Sequence, residues 1–172
     1  YCLNFFPETI TLSAGLISGN PIDFTYVWST GEDTYEIEIN APGTYSVSVT
    51  NINGCSKDRI ISVLPSNIAT IDDVEVVDVT SNNTITIFVT GEGDYEFALN
   101  NINGPYQDSN VFENVSPGLH TVYVRDKNNC GIVEDIVSVI GFPKFLTPNG
   151  DGYHDTWQVY GINHDTQLES IV

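Results

Sequence analysis

The sequence predicts an all-β chain in which small sandwich modules follow one another, and three observations carry that reading. Apolar and polar residues alternate with period two over many short runs, clusters of Gly, Pro and Asn separate those runs, and one block of the sequence repeats another. Nothing reads as a helix of useful length. With 172 residues and 41% hydrophobic content, the chain has material for two or three small globular units and too much apolar surface for a disordered tail.

The first module is assigned to residues 1–64. Tyr35, Ile37 and Ile39 alternate with Glu36 and Glu38, and Tyr45, Val47 and Val49 alternate with Ser46, Ser48 and Thr50 after a turn set by Pro42-Gly43. Each run has one face for a core and one for water. Further strands fit Thr9 to Leu12, Phe24 to Ser29 and Arg59 to Leu64, with turns at Ser29 to Glu32 and Asn51 to Gly54. Strands of this length and spacing favour a β-sandwich. Trp28 is read as core packing on a central strand rather than as a sugar-stacking platform, since sandwiches commonly bury such a residue.

Cys2 and Cys55 stand near the two ends of this module. A module of this size buries only about 60% of its unfolded surface. A bridge closing so long a loop would contribute roughly 4 kcal/mol in the chain-entropy model. The expectation is therefore a Cys2–Cys55 disulfide and an oxidising, exported location. A zinc pair is the weaker alternative, because neither His nor a CxxC spacing accompanies the two cysteines.

The second module is assigned to residues 65–140. A shift of 75 positions places Ala41-Pro42-Gly43 on Ser116-Pro117-Gly118, Val47 and Val49 on Val122 and Val124, and Cys55 on Cys130. One further step places Ile61-Ser62-Val63 on Val137-Ser138-Val139. The first halves read as divergent, with strands at Val74 to Val79, Thr84 to Thr90 and Tyr95 to Leu99 and turns at Gly91 to Asp94 and Asn100 to Pro105. Val77 occupies the place of Cys2, so Cys130 is expected to be a buried, inert thiol. The short boundary at Pro65-Ser66-Asn67 leads us to expect end-to-end stacking.

Charge narrows the partners. Five Lys and Arg stand against 23 Asp and Glu, a net charge of −18, spread as −5 over residues 1–64, −10 over 65–140 and −3 over the remainder. A phosphate backbone would be repelled, which excludes nucleic acid. No apolar run approaches the roughly 20 residues that span a bilayer as a helix. The chain has no Met and opens at Tyr1-Cys2 without the charged start and apolar run of a signal peptide, so it is expected to be a fragment or a processed product.

Motifs for nucleophilic, phosphate or dinucleotide chemistry are missing from the sequence, and no enzymatic activity is expected. His120 falls in a strand, and His154 and His164 share no catalytic or zinc-like spacing. The Glu36/Glu38 pair reads as a solvated strand face.

The densest turn chemistry lies in residues 142–157, Phe-Pro-Lys-Phe-Leu-Thr-Pro-Asn-Gly-Asp-Gly-Tyr-His-Asp-Thr-Trp. Pro148 fixes its own φ, Asn149-Gly150 and Asp151-Gly152 supply positive φ, and Asp155 can fold back onto backbone amides. Two explanations stand for the polar atoms here. One is a structural turn rich in Asx residues. The other is a weak calcium site using Asn149, Asp151 and Asp155, since Thr147 to Asp155 echoes the start of a calcium loop but lacks the leading Asp and the late Glu, with Gln158 nearest.

This stretch resembles the opening of the gliding-motility-associated C-terminal domain of Bacteroidetes surface proteins, the type B sorting domain of the type IX secretion system. That family opens with an aromatic-Pro-x-aromatic run, Thr-Pro-Asn-Gly-Asp-Gly and Asn/His-Asp-Thr-Trp. Tyr26 to Glu32, Ala41 to Thr50 and Asn53 to Cys55, with Tyr95 to Leu99 and Gly104 to Ser109, are similar to the immunoglobulin-like, polycystic-kidney-disease-type repeats of such proteins. The resemblance implies tandem immunoglobulin-like sandwiches followed at 141–172 by the N-terminal part of a sorting domain, lacking the family's later strands. It implies export to the cell surface across the outer membrane and recognition by type IX β-barrel components. The signature positions carried over are Phe142, Pro143, Phe145, Thr147, Pro148, Asn149, Gly150, Asp151, Gly152, Asp155 and Trp157. Two other functions stand beside it: a lectin-like adhesive module binding surface glycans or calcium, with Tyr106 and Phe112 as its exposed aromatic pair, and the non-catalytic appendage of a secreted hydrolase.

Overall fold

Alternation in the sequence becomes eleven strands in a computed structural model that describes residues 1–152, 155–157 and 159–161. Among the described residues the helical elements are two single 3₁₀ turns, Leu3–Phe5 and Pro21–Asp23. Among the described residues, no helix is long and apolar enough to cross a membrane. Contacts divide the chain into Tyr1–Asn67 and Ile68–Val172.

In the first unit, β1 (Ile10–Ser13) pairs antiparallel with β3 (Glu36–Ile39), and β2 (Phe24–Trp28), β4 (Gly43–Asn51) and β5 (Ser56–Val63) form a second sheet in the order β2-β4-β5. The inward residues of both sheets meet in one core of Leu12, Ala14, Tyr26, Trp28, Ile37, Ile39 and Val47. This is the expected sandwich. Trp28 is 2% exposed, and its indole N–H donates to the Thr34 carbonyl at 2.8 Å, so its polar tip is satisfied as its rings fill the core.

In the second unit, β6 (Thr70–Val77), β7 (Thr84–Thr90) and β9 (Val111–Phe112) make one sheet, and β8 (Tyr95–Leu99), β10 (Gly118–Asp126) and β11 (Ile132–Val139) make the other. Its core joins Ile85 and Ile87 to Phe97, Val122, Val124, Val137 and Val139. The register repeats that of the first unit. Tyr26 faces Val49 and Trp28 faces Val47, while Phe97 faces Val124 and Leu99 faces Val122.

The repeat runs further than the closing hairpin. Thr9-Ile10-Thr11-Leu12 lies 75 positions before Thr84-Ile85-Thr86-Ile87, and the two stretches run into or along β1 and β7, each in the sheet opposite its unit's closing hairpin. The expectation that the first halves diverge is corrected here. What differs is the strand beside them, as β6 pairs with β7 along its length while β1 pairs with β3 alone.

The disulfide expectation also fails. Cys55 is a free, exposed thiol, and the disulfide-bonded cysteines are Cys2 and Cys130. Strand β5 explains why Cys2 and Cys55 stay apart. Cys55 directly precedes β5, whereas Cys2 bridges in parallel to Ser66, beyond its other end. An eight-residue strand is about 26 Å long, far more than the ~7 Å Cα separation a disulfide tolerates. Cys130 is buried, but as half of a disulfide and not as an inert thiol.

The segment from 141 onward, expected as a separate third domain, is grouped with the second unit. Gly141 and Tyr160 exchange backbone hydrogen bonds at 3.3 and 2.8 Å, and the Ser138 hydroxyl donates to the Gly161 carbonyl. These contacts return the chain to the end of β11.

Candidate functional site

Phe142 to Trp157 forms a closed loop whose mouth and tip are held separately. At the mouth, next to the Gly141–Tyr160 bridge, the Phe142 and Trp157 rings stack with centroids 5.2 Å apart and planes 13° from parallel. At the tip, Pro148 is the centre of a tight turn in which the Asn149 N–H donates to the Thr147 carbonyl at 2.8 Å. Gly150 and Gly152 take φ of +78° and +87°, a region L side chains rarely adopt. The positive φ expected from Asn149-Gly150 and Asp151-Gly152 therefore falls on the two glycines.

Asp155 organises this tip. Its Oδ1 accepts the N–H groups of Asn149 and Gly150 at 2.8 and 2.7 Å, and its Oδ2 accepts that of Gly152 at 2.7 Å. Donors aimed at a carboxylate favour its charged form. The Gly150 and Gly152 N–H groups, and to a smaller extent that of Asn149, hold the Asp155 carboxyl below its ordinary value against the opposing effect of desolvation. Asn149 adds a reciprocal pair, its Nδ2 donating to Asp151 Oδ2 at 2.8 Å and its Oδ1 accepting the Asp151 N–H at 3.2 Å.

The same bonds bear on the two explanations of these polar atoms. Asn149, Asp151 and Asp155 come together, as a calcium loop would require, but both Asp155 oxygens and Asn149 Oδ1 accept backbone N–H groups from within the turn. Among the described residues, no group of three or more His, Cys, Asp or Glu could hold a metal ion. Tyr153, His154, Gln158 and His164 lie outside the described residues.

Turn chemistry at the tip leaves apolar side chains on the outside. Phe145, Leu146 and Trp157 are exposed, as are Thr147 and Pro148, while Pro143 is half-buried. The Phe142–Trp157 stack and the Tyr160 bridge escaped the sequence reading. Their signal was the placement of aromatic residues on both sides of one turn.

Tyr106 and Phe112, the proposed sugar-binding pair, do not form an open platform. The Arg125 guanidinium lies 3.9 Å over the Tyr106 ring, and the Tyr106 hydroxyl donates to the Ile102 carbonyl at 2.7 Å. Phe112 packs against the core. Arg125 also donates from Nε and Nη2 to Glu96 Oε1 at 2.8 and 2.6 Å, so it clamps the loop after β8 onto the β8–β10 surface. Lys127 adds a second clamp between Asp94 at 2.9 Å and Asp108 at 2.7 Å, and those carboxylates push its pKa up.

His120 is a packing residue. Asn100 Oδ1 accepts the Thr121 N–H at 3.1 Å, which turns Asn100 Nδ2 toward His120 Nδ1 at 2.8 Å. Nδ1 is then an acceptor, and Nε2–H donates to the Ser116 carbonyl at 2.7 Å. Glu36 and Glu38 stand on the wet face of β3, where the Thr11 hydroxyl donates to Glu38 at 2.6 Å. Hydrogen bonds from Thr11 and then Thr9 lower the Glu38 pKa.

No family model matches the sequence, and no curated protein matches it. Among solved structures, the chain is similar to an amphioxus IgVJ-C2 molecule at 17% identity, covering 77% of this chain and 96% of that one with a TM-score of 0.41. Murine CEACAM1b is similar at 11% identity, covering 77% and 92% with a TM-score of 0.47. DIP-gamma IG1+IG2 is similar at 10% identity, covering 67% and 82% with a TM-score of 0.38. The likeness concerns fold alone. The β-sandwich assignment rests on the strand pairings and cores described above.

Proposed function

We propose that this chain is a region of an exported cell-surface protein of gliding-adhesin type. Its two sandwiches act as a stalk, and the loop from Phe142 to Trp157 acts as a secretion signal read by type IX outer-membrane β-barrel components. The role is binding, and no catalytic step is assigned to any residue. The observation that carries this reading is the construction of the loop: Asp155 and the Phe142–Trp157 stack fix its backbone while Phe145, Leu146 and Trp157 stay exposed. A loop already ordered before it meets a partner loses less conformational entropy on docking, and exposed aromatic rings supply contact area.

The test is delivery of the protein in cells carrying type IX export. Deleting residues 142–172 is expected to leave the protein inside the cell, and replacing Asn149 to Asp155 by a Gly/Ser linker is expected to abolish recovery of β-barrel export components from native outer membranes. Normal surface delivery of the deleted form would overturn the proposal. Equal recovery by the linker form would show that the turn is not what is read.

A further inference from the structure

Three asparagines are followed directly by glycine: Asn53, Asn103 and Asn149. An Asn-Gly pair rearranges without an enzyme. The glycine backbone nitrogen gives its proton to water or hydroxide and attacks the asparagine Cγ, the Cγ–Nδ2 bond breaks, and Nδ2 leaves as ammonia. Water then opens the resulting five-membered succinimide to aspartate or isoaspartate. Glycine permits this ring closure because it has no Cβ to crowd the attacking nitrogen. In a folded chain the rate depends on two freedoms, that of the glycine N–H to give up its proton and that of the side-chain amide to swing onto the nitrogen.

Asn53 and Asn149 form a close comparison. Both are exposed, as are Gly54 and Gly150, and the two glycines take φ of +81° and +78° with open space where a Cβ would stand. Their hydrogen bonds differ. The Gly54 N–H donates to the Asn51 carbonyl at 2.9 Å, and among the described residues the Asn53 side-chain amide has no hydrogen-bond partner. The Gly150 N–H donates to the Asp155 carboxylate at 2.7 Å, and both ends of the Asn149 amide are held by Asp151. The third pair lies in a turn of the same sequence as the first, since Asn101-Ile102-Asn103-Gly104 repeats Asn51-Ile52-Asn53-Gly54. The Gly104 N–H likewise donates to the Asn101 carbonyl at 2.9 Å, but Gly104 is buried and its carbonyl accepts Asn101 Nδ2 at 2.6 Å.

We propose that Asn53 is a site of spontaneous deamidation and that Asp155 protects Asn149 from the same reaction. Asp155 acts through charge and through order. A hydrogen bond from the Gly150 N–H to a carboxylate is stronger than one to a carbonyl, and loss of that proton would set a developing amide anion against the carboxylate. The turn that Asp155 closes also keeps the Asn149 amide on Asp151 and away from the Gly150 nitrogen. At position 53 the reaction adds a negative charge, and its isoaspartate product adds a backbone carbon to the turn in which Asn51 Oδ1 accepts the Asn53 and Cys55 N–H groups. The β4–β5 turn therefore changes with time at neutral or basic pH while the Phe142 to Trp157 loop keeps its sequence.

The test incubates the full chain at mildly basic pH, with a parallel sample in denaturant, and follows each Asn-Gly pair by peptide mass spectrometry. In the native chain Asn53 is expected to convert roughly tenfold faster than Asn149, the effect of one hydrogen bond to a charged group, and faster than Asn103. In denaturant the three sites should converge, which assigns the difference to the fold and requires no variant. Asp155→Ala should raise the Asn149 rate toward that of Asn53 and leave Asn53 unchanged. Asp155→Asn keeps an acceptor and removes the charge, so it should raise the Asn149 rate less. Equal native rates at Asn53 and Asn149, a difference that persists in denaturant, or an Asn149 rate unmoved by Asp155→Ala would each overturn the proposal.

Discussion

The hairpin of β4 and β5 and the hairpin of β10 and β11 are equivalent pieces placed against different backing sheets. In β4 only Val47 is buried, whereas in β10 His120, Val122, Val124 and Asp126 all are. Among the described residues, the second unit sets three strands behind its hairpin sheet and the first sets two. Burial of a side chain is therefore decided by the opposing sheet as much as by its own strand. The turns make the same point. Asn51 Oδ1 accepts the N–H groups of Asn53 and Cys55, and Asp126 Oδ2 accepts those of Asn128 and Cys130, but Asp126 is 0% exposed and also accepts the Asp94 N–H.

The most direct way to break this comparison is to truncate the two equivalent isoleucines. Ile85→Ala should destabilise the second unit by about 2–5 kcal/mol through the lost methyl groups and the cavity left behind. Ile10→Ala should cost about 1 kcal/mol, since its side chain already meets water. Denaturant unfolding of both variants checks this, and equal losses would remove the role given to β6.

The equivalent cysteines sharpen it next. Cys130→Ser is expected to cost about 2–5 kcal/mol by breaking a disulfide, and Cys55→Ser is expected to stay within about 0.5 kcal/mol of the parent. Thermal unfolding under non-reducing conditions distinguishes the two. The turn residues follow. Asp126→Ala leaves buried N–H groups without an acceptor and should cost about 1–3 kcal/mol, while Asn51→Ala on the exposed turn should cost about 1 kcal/mol or less.

The smallest effect concerns pH and the loop tip. The folded carboxyl of Asp155 is held below its ordinary value, so its contribution to loop order is complete above the unfolded carboxylate pKa of about 3.9 and disappears as pH falls through the lower folded value. Amide resonances of Gly150 and Gly152 should move together over that acidic window. Asp155→Asn should remove the transition, and added calcium should leave those resonances in place.

Much of this architecture is legible in period-two alternation and turn residues. Thr84 to Thr90 and Tyr95 to Leu99 read as strands with the bounds the structure gives, and Trp28 reads as core. The repeat in Thr9 to Leu12 is also present in the sequence, but a four-residue match lacks weight until both copies are seen in the sheets that back the closing hairpins. Partners chosen across space are less visible. Cysteine positions along the chain do not reveal that β5 holds Cys55 and Ser66 apart, and exposed-looking Tyr106 does not announce that Arg125 will cover its ring. At the candidate site, Pro148, Gly150, Gly152 and Asp155 behave as their chemistry predicts, because a turn is local; the Phe142–Trp157 stack is not.

The measurement that tests the role of the third backing strand most directly is native-state hydrogen exchange of the full chain over a denaturant series. The structure predicts that amides of β2 and β4 open together at lower denaturant, and at least tenfold faster, than those of β8 and β10. Equal protection and equal denaturant dependence in the two hairpin sheets would contradict it.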